Sequence, residues 1–168
     1  MRLKIGLSLL LIFFVWRFSQ LIKLSFYKAD FQSQITVGID IERVAISKVG
    51  LDLPVQTVAI KNGIWEVPQS AVGHLNQSAK INSEGNIVLY AHNTKNLFGP
   101  IRWLEVGDEI ILMGIDGRGY KYQISEIITV KPNVVDYVLP TDSERLTLFT
   151  CTGLFDSQRF IVVATPVL

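Results

Sequence analysis

The sequence has little cysteine and little histidine, and it has no excess of one charge. Of 168 residues, one is cysteine and two are histidine, and 16 Lys and Arg side chains balance 15 Asp and Glu. This balance gives no indication of nucleic-acid binding and no acidic block typical of a disordered tail. The C-x-x-C and H-E-x-x-H signatures and a Gly-rich phosphate loop are also missing. The metal and nucleotide sites identified by these motifs are therefore not predicted.

The apolar residues are concentrated at the start of the chain. Two basic residues precede an apolar run from Ile5 to Trp16, and apolar residues continue more sparsely after it. A spanning helix needs about 20 mostly apolar residues, and the positive-inside rule keeps a basic N-terminus in the cytoplasm. We expect a signal anchor or transmembrane segment in residues 1–25 and a juxtamembrane linker in residues 26–39. A removed signal peptide is the alternative, and both interpretations place residues 30–168 outside the cytoplasm.

If the chain is exported, its single cysteine is unusual. Cysteines outside the cytoplasm usually pair, but Cys151 has no partner in its own chain. Such a residue forms an intermolecular bond, serves as a reactive thiol, or packs as a buried free cysteine. All three interpretations of Cys151 stay open at this point.

Short strand-like segments follow one another after residue 40. Turn residues separate them, including a hairpin signal at Asn62-Gly63, and no long amphipathic helix is available. This alternation of short strand-like segments and turns predicts an all-β sandwich or barrel. The main predicted strands cover residues 43–50, 53–60, 87–92, 109–115, 120–130, 145–151 and 159–168.

Two of these strands end in residues whose side chains can take part in catalysis. His92 follows the apolar run "NIVLYA", and Cys151 follows "RLTLFT" in the same way. If the two strands are parallel neighbours, both side chains emerge at one rim of the sheet, as a Cys–His pair requires. His74, in "AVGHLNQ", has no such placement, and we interpret it as a loop or surface histidine.

Arg159 begins the last predicted strand. The preceding loop "TGLFDSQ" turns the chain back, which would set Arg159 beside Cys151 on the neighbouring strand. The fixed N–H donors of a guanidinium could there hold a carbonyl oxygen as it becomes an oxyanion. The simpler alternative is a charge that meets solvent at a strand end.

At these positions the sequence resembles the sortases, the membrane-anchored cysteine transpeptidases of bacterial surfaces. Thr147–Cys151 matches the family signature T-L-x-T-C at every fixed position. Arg159 in "RFIVVA" and His92-Asn93 in "YAHN" are similar to the family's arginine and histidine segments, although Ala91 stands where many relatives have Gly. The resemblance covers roughly residues 40–168 together with the N-terminal anchor.

The resemblance implies a closed β-barrel of about eight strands preceded by an N-terminal transmembrane helix. It also implies roles: Cys151 is the nucleophile, His92 the general acid and base, and Arg159 the oxyanion or substrate donor. Thr150 and Asn93 are implied to contact the substrate. No metal or organic cofactor is implied.

The implied partners are secreted proteins with an LPxTG-like C-terminal sorting signal and an amine acceptor on the cell wall or a pilin. The N-terminal anchor would contact membrane lipid, with the catalytic domain extracellular, and no nucleic acid is expected. Alternatives are another exported cysteine peptidase or an L,D-transpeptidase, although the Ser-His-Gly-Cys motif of the latter is missing. A catalytically inactive barrel that binds surface peptides is a third possibility.

Overall fold

A closed barrel of eight strands forms most of the described part of the chain, and two further strands, Ile60–Lys61 and Ile64–Trp65, form a separate two-stranded sheet. The structure, a computed structural model, describes residues 37–61 and 64–167. In chain order, ten strands are present in these residues: β1 (Ile41–Ile46), β2 (Leu51–Val58), β3 (Ile60–Lys61), β4 (Ile64–Trp65), β5 (Val72–Leu75), β6 (Asn86–Tyr90), β7 (Glu109–Gly114), β8 (Gly119–Val130), β9 (Arg145–Thr152) and β10 (Gln158–Pro166). Four short 3₁₀ segments connect them, at Ser47–Val49, Gly99–Trp103, Asp136–Val138 and Leu154–Asp156.

The strand order around the barrel is β1-β2-β5-β6-β9-β10-β8-β7, and β7 pairs with β1 to close it. Closure leaves no free sheet edge. Two neighbouring pairs, β2–β5 and β6–β9, are parallel, and the other pairs are antiparallel. The predicted all-β barrel of about eight strands is therefore confirmed.

The barrel interior is filled by alternate residues of its strands. In β9, Leu146 and Leu148 belong to the core, and Thr147 between them faces outward, because strand side chains alternate between faces. β10 follows the same rule, with Val162 and Ala164 in the core. The strand period therefore assigns Phe149, Cys151 and the equivalent residues of β10 to the outer face of the barrel.

The second histidine departs from its sequence interpretation. His74 lies in β5, and its side chain is buried rather than exposed in a loop. The Nε2–H of its ring donates to the carbonyl of Ala79 over 2.9 Å. Burial lowers the pKa of His74, which keeps the ring neutral. The expectation of a loop or surface histidine is wrong, because every residue of β5 is buried and the strand shows no polar alternation.

Several predictions fall on residues outside this description. The predicted membrane segment (1–25) and most of the predicted linker (26–39) lie outside the described residues, and so does the turn at Asn62-Gly63. β3 and β4, on either side of that turn, do pair antiparallel. Across residues 37–61 and 64–167, no helix has the length and apolarity needed to cross a bilayer.

Candidate active site

Cys151 and Arg159 face each other across neighbouring strands. β9 and β10 are antiparallel, and the register makes Cys151 and Arg159 direct partners. Both alternate with core residues, so both lie on the outer face of the barrel. The loop between the strands does turn the chain back as its sequence predicts, and it brings the arginine opposite the cysteine.

His92 follows a strand that lies beside β9 on its other side. β6 and β9 are parallel, and their register pairs Tyr90 with Phe149. His92 and Cys151 each follow this last pair by two residues, so they lie at the same end of the two neighbouring strands. The structure therefore confirms that β6 and β9 are parallel neighbours, which is the arrangement that the predicted Cys–His pair requires.

The main chain around His92 is held by hydrogen bonds from three residues. The hydroxyl of Thr150 donates to the carbonyl of Ala91 over 2.8 Å. The carbonyl of His92 accepts from the backbone N–H groups of Thr94 and Phe98, at 2.9 and 3.1 Å. These three hydrogen bonds thus fix the conformation of the backbone at Ala91 and His92.

Thr150 and Asn93, the two predicted substrate contacts, lie in different surroundings. Thr150 is fully buried on the core side of β9, and its hydroxyl is used by Ala91. This placement does not support a direct contact between Thr150 and a substrate. Asn93 is partly exposed in the turn after His92, so a contact from this residue stays a prediction.

Burial and two charges of opposite sign act on the thiol. Burial raises the pKa of Cys151, the positive charge of Arg159 lowers it, and the negative charge of Asp156 raises it again. The net pKa lies above the ordinary value. The resting thiol is therefore protonated at neutral pH, and the reactive thiolate is a minor form.

The guanidinium of Arg159 is anchored by its own loop. Its Nη1 donates to the carbonyls of Asp156 and Gln158, both at 2.9 Å. Phe155 and Asp156 adopt left-handed backbone angles, with φ of 54° and 58°. Non-glycine residues rarely adopt this region. The loop thus holds two unfavourable conformations next to the arginine, a feature common in segments with a functional role.

An aromatic cluster lies next to the cysteine and histidine, and sequence reasoning missed it. Tyr90 and Phe149 stack at a centroid distance of 5.2 Å, and Trp65 meets both edge-on at 5.1 and 5.6 Å. The phenol of Tyr90 also donates to the carbonyl of Glu66. Burial, with a smaller effect of the Glu66 charge, raises the pKa of Tyr90 to about 12. The strand period could have located two of these rings, because each lies two residues before His92 or Cys151.

Gln69 is a second residue that the sequence did not reveal. Its Nε2 lies 3.4 Å from Nε2 of His92. Residues 65–69 therefore run past the aromatic cluster to the imidazole. No cluster of three or more His, Cys, Asp or Glu side chains suited to a metal ion occurs in residues 37–61 and 64–167.

Comparisons with known proteins identify the family of this chain. The family model described as the sortase domain matches residues 44–167. Sortase A of Bacillus anthracis is 29% identical over 127 residues, which are 74% of this chain and 58% of that protein. Sortase A of Listeria monocytogenes is 31% identical over 91 residues, or 52% of this chain and 40% of that protein. The chain thus matches less than two thirds of the length of either relative.

The fold is shared with solved sortases. Sortase C of Streptococcus pneumoniae superimposes with a TM-score of 0.66 at 26% identity, covering 80% of this chain and 69% of that one. Sortase A of Corynebacterium diphtheriae has the same TM-score at 24% identity, covering 80% and 64%. The match of the family model over most of the described residues decides the assignment: this chain belongs to the sortase family.

Proposed function

We propose that this protein is a sortase-type cysteine transpeptidase that cleaves an LPxTG-like sorting signal and transfers the resulting acyl group to an amine. One observation carries the proposal: Cys151 is the register partner of Arg159, and His92 follows β6, the parallel strand on the other side of β9. This arrangement supports a site in which a nucleophile, a proton carrier and a donor of fixed geometry come from the same end of three neighbouring strands. This is the set of groups that acyl transfer through a thioester requires.

The proposed reaction has two halves. In the first, the Cys151 thiolate attacks the carbonyl of the scissile peptide bond, the C–N bond breaks, and His92 protonates the departing amine. In the second, an acceptor amine attacks the thioester, gives a proton to His92, and breaks the C–S bond to release the thiolate. His92 thus acts first as an acid and then as a base.

Arg159 stabilises the oxyanion in both halves. A guanidinium has five N–H donors, and Nη1 makes both of the bonds to the loop carbonyls. The remaining donors of Arg159 can therefore serve a developing negative charge while the loop keeps the side chain in place. The same positive charge opposes the effect of burial on Cys151.

Membership of the sortase family supports the proposed substrate class. We propose that secreted proteins with an LPxTG-like C-terminal signal are the substrates, and that an amine of the cell wall or of a pilin is the acceptor. Sortase C of Streptococcus pneumoniae has pilin substrates. We further propose that residues 1–25 anchor the protein in the membrane lipid, with a cytoplasmic N-terminus and an extracellular catalytic domain.

The test is turnover of a fluorogenic peptide that contains Leu-Pro-Ala-Thr-Gly, with triglycine as the acceptor. Arg159→Lys should lose about a hundredfold or more in turnover, because a point charge does not reproduce the planar fork of donors. Arg118→Lys is the matched control, since Arg118 is exposed in the turn between β7 and β8. Near-full activity of Arg159→Lys would contradict the role assigned to the guanidinium.

A second measurement separates the enzyme from an inactive peptide-binding barrel. Trapping a thioester between the peptide and Cys151, followed by its release with triglycine, is the expected result. A chain that binds the peptide and forms neither thioester nor transfer product would be a binding protein. His92→Ala should form little of the thioester, because the leaving amine then departs without a proton donor.

A further inference from the structure

A side-chain amide from a distant segment lies against the ring of His92. Nε2 of Gln69 is 3.4 Å from Nε2 of His92, which is a long hydrogen bond. Gln69 belongs to the connection between β4 and β5, and its side chain is exposed. A long hydrogen bond at an exposed site is weak, so it can orient the ring only if the rest of the structure holds the amide in place.

The segment that carries this amide, residues 65–69, is held by the aromatic cluster. Trp65 meets the rings of Tyr90 and Phe149 edge-on, at centroid distances of 5.1 and 5.6 Å. The phenol of Tyr90 donates to the carbonyl of Glu66 over 2.8 Å. Both rings precede the histidine or the cysteine by two residues. The segment is therefore fastened to the same two strands that lead to the candidate active site.

The backbone next to Gln69 is restricted as well. Pro68 precedes it, and the proline ring fixes one backbone angle. A Cβ atom at Gly73 in β5 would lie 3.2 Å from both Cδ of Pro68 and Cζ of Tyr90. The glycine thus allows Pro68 to pack closely against β5 and Tyr90. Gln69 extends from a backbone of fixed position, and its amide reaches the ring from a defined direction.

A glutamine amide can serve the imidazole as a donor or as an acceptor. A half-turn about the last side-chain bond exchanges its NH₂ group and its oxygen without moving the rest of the side chain. In the proposed reaction His92 is an imidazolium when it acts as an acid and a neutral ring when it acts as a base. If Nδ1 exchanges the proton, Nε2 carries a hydrogen in both states. That N–H can donate to Oε1 of Gln69 throughout the reaction.

We propose that Gln69 is a positioning residue for His92. Its Oε1 accepts a hydrogen bond from Nε2–H of the ring, which leaves Nδ1 to exchange the proton with the departing and the incoming amine. This inference rests on the proposed transpeptidase function. Gln69 acts through the orientation of the imidazole, because a neutral amide adds no charge to the site.

The test follows the ring of His92 by NMR in the full-length protein in detergent micelles. Gln69→Leu removes the acceptor, and the titration midpoint of His92 should move to lower pH by about half a unit, because the imidazolium loses the bond that favours it. Gln69→Glu keeps an acceptor of the same length and makes it negative. The midpoint should then move to higher pH by about one unit.

The chain offers matched controls for this titration. Gln123→Leu and Gln123→Glu make the same changes at an exposed position of β8 and should leave the midpoint of His92 unchanged. His74 is the only other histidine, and its buried ring is bonded to the carbonyl of Ala79. Its signals should stay constant in every variant, which makes it an internal reference.

The ionisable groups on the segments next to His92 are the same in all of these variants, so a shift of the midpoint reports the change at position 69. These groups are Glu66, Tyr90, Lys95, Cys151 and Arg159.

Turnover of the Leu-Pro-Ala-Thr-Gly peptide with triglycine gives a second readout. Gln69→Leu should lower kcat about fivefold at constant KM, since a ring without its partner transfers protons less well while the peptide contacts remain. Gln69→Glu should recover most of kcat, with its optimum at higher pH than in the wild type. Because Gln69 is exposed, the thermal midpoint should not change in either variant.

The sign of the shift decides the inference. A midpoint that rises in Gln69→Leu would mean that the amide donates to Nε2, and an unchanged midpoint would mean that it does not act on the ring; either result overturns the inference. A rise in KM at constant kcat would place Gln69 in substrate binding and would overturn it too. A wild-type protein that cleaves no peptide would instead overturn the proposed function, and the NMR titration alone would then judge the contact.

Discussion

The inner and outer faces of β6 and β9 carry different kinds of residue. The inner face is aliphatic and fully buried, and it consists of Ile87, Leu89, Leu146 and Leu148. The outer face is mainly polar and aromatic, with one aliphatic residue, Val88, among Asn86, Tyr90, Thr147, Phe149 and Cys151. The inner face is buried by the closure of the barrel, whereas the outer face is covered by connecting segments. The same two strands thus hold the core on one side and the candidate active site on the other.

This difference suggests that stability and chemistry can be separated by substitutions one residue apart. Changes on the inner face should act through the volume they remove from the core. Changes on the outer face should act through the hydrogen bonds and charges around Cys151. The four predictions that follow test this separation, beginning with the largest expected effect.

Cys151→Ala should abolish both cleavage and transfer. No other thiol exists in the chain to form a thioester, so no residual pathway is expected. Because the side chain is only partly buried on the outer face, the thermal midpoint should stay near that of the wild type. Turnover of the fluorogenic peptide and a thermal melt are the two measurements.

Cys151→Ser sharpens this result, because a hydroxyl is far harder to ionise than a thiol. We expect it to be nearly as inactive as Cys151→Ala at every pH used. A variant at Cys151 that still formed the transfer product would show that the acyl group is carried elsewhere, and the proposed mechanism would fall.

Leu148→Ala should have the opposite pattern. Leu148 is fully buried in the core, and removing a buried leucine side chain costs about 2–5 kcal/mol in the free energy of unfolding. Denaturant unfolding measures this loss. The activity of the molecules that remain folded should be close to normal, because Leu148 faces away from the thiol. A fall in kcat without a loss of stability would contradict the separation of the two faces.

The comparison also explains how much could be predicted from the sequence. The strand period and the apolar runs before His92 and Cys151 identify the barrel strands, since burial on one face produces a local pattern. The arginine opposite the cysteine follows from the short loop between their strands. These features depend on residues that are close in sequence or on a repeated spacing.

What the sequence did not reveal depends on contacts between distant segments. His74 was misinterpreted because β5 is covered on both faces, which leaves no alternation to detect. Gln69 reaches His92 from a different segment of the chain. Asn86 holds a connection about 50 residues away. Contacts between such distant residues are determined by the closure of the barrel, and no local sequence pattern predicts them.

Thr150→Val tests a residue whose side chain lies on the inner face of β9 but whose hydroxyl holds the backbone next to His92. Its side chain lies on the core side, but its hydroxyl holds the carbonyl that precedes His92. Loss of this donor leaves a buried carbonyl without its partner, at a cost of about 1–3 kcal/mol. We expect a lower thermal midpoint together with a lower kcat, because the backbone before His92 is released.

Thr150→Ser is the matched control, since it keeps the hydroxyl, and it should retain most of both quantities. The alternative role, a direct contact with the substrate, makes a different prediction. In that case Thr150→Val would raise KM and leave the thermal midpoint unchanged, and the interpretation of Thr150 as a positioning residue would be wrong.

Asp156→Asn should have the smallest effect, and it acts on the thiol through charge alone. Burial raises the pKa of Cys151, Arg159 lowers it, and Asp156 raises it. Removing the negative charge should therefore lower the pKa of Cys151, so that more thiolate is present at neutral pH.

The rate of alkylation by iodoacetamide, measured from about pH 6 to 10 around the usual range for a cysteine, should show its midpoint at a lower pH than in the wild type. Asp142→Asn removes the same charge from an exposed site between β8 and β9 and should leave the midpoint unchanged. Arg159→Gln should shift the midpoint in the opposite direction, because the lowering charge is then lost. A midpoint that does not respond to either Asp156→Asn or Arg159→Gln would mean that burial alone sets the state of the thiol, and that the loop between β9 and β10 does not tune the nucleophile.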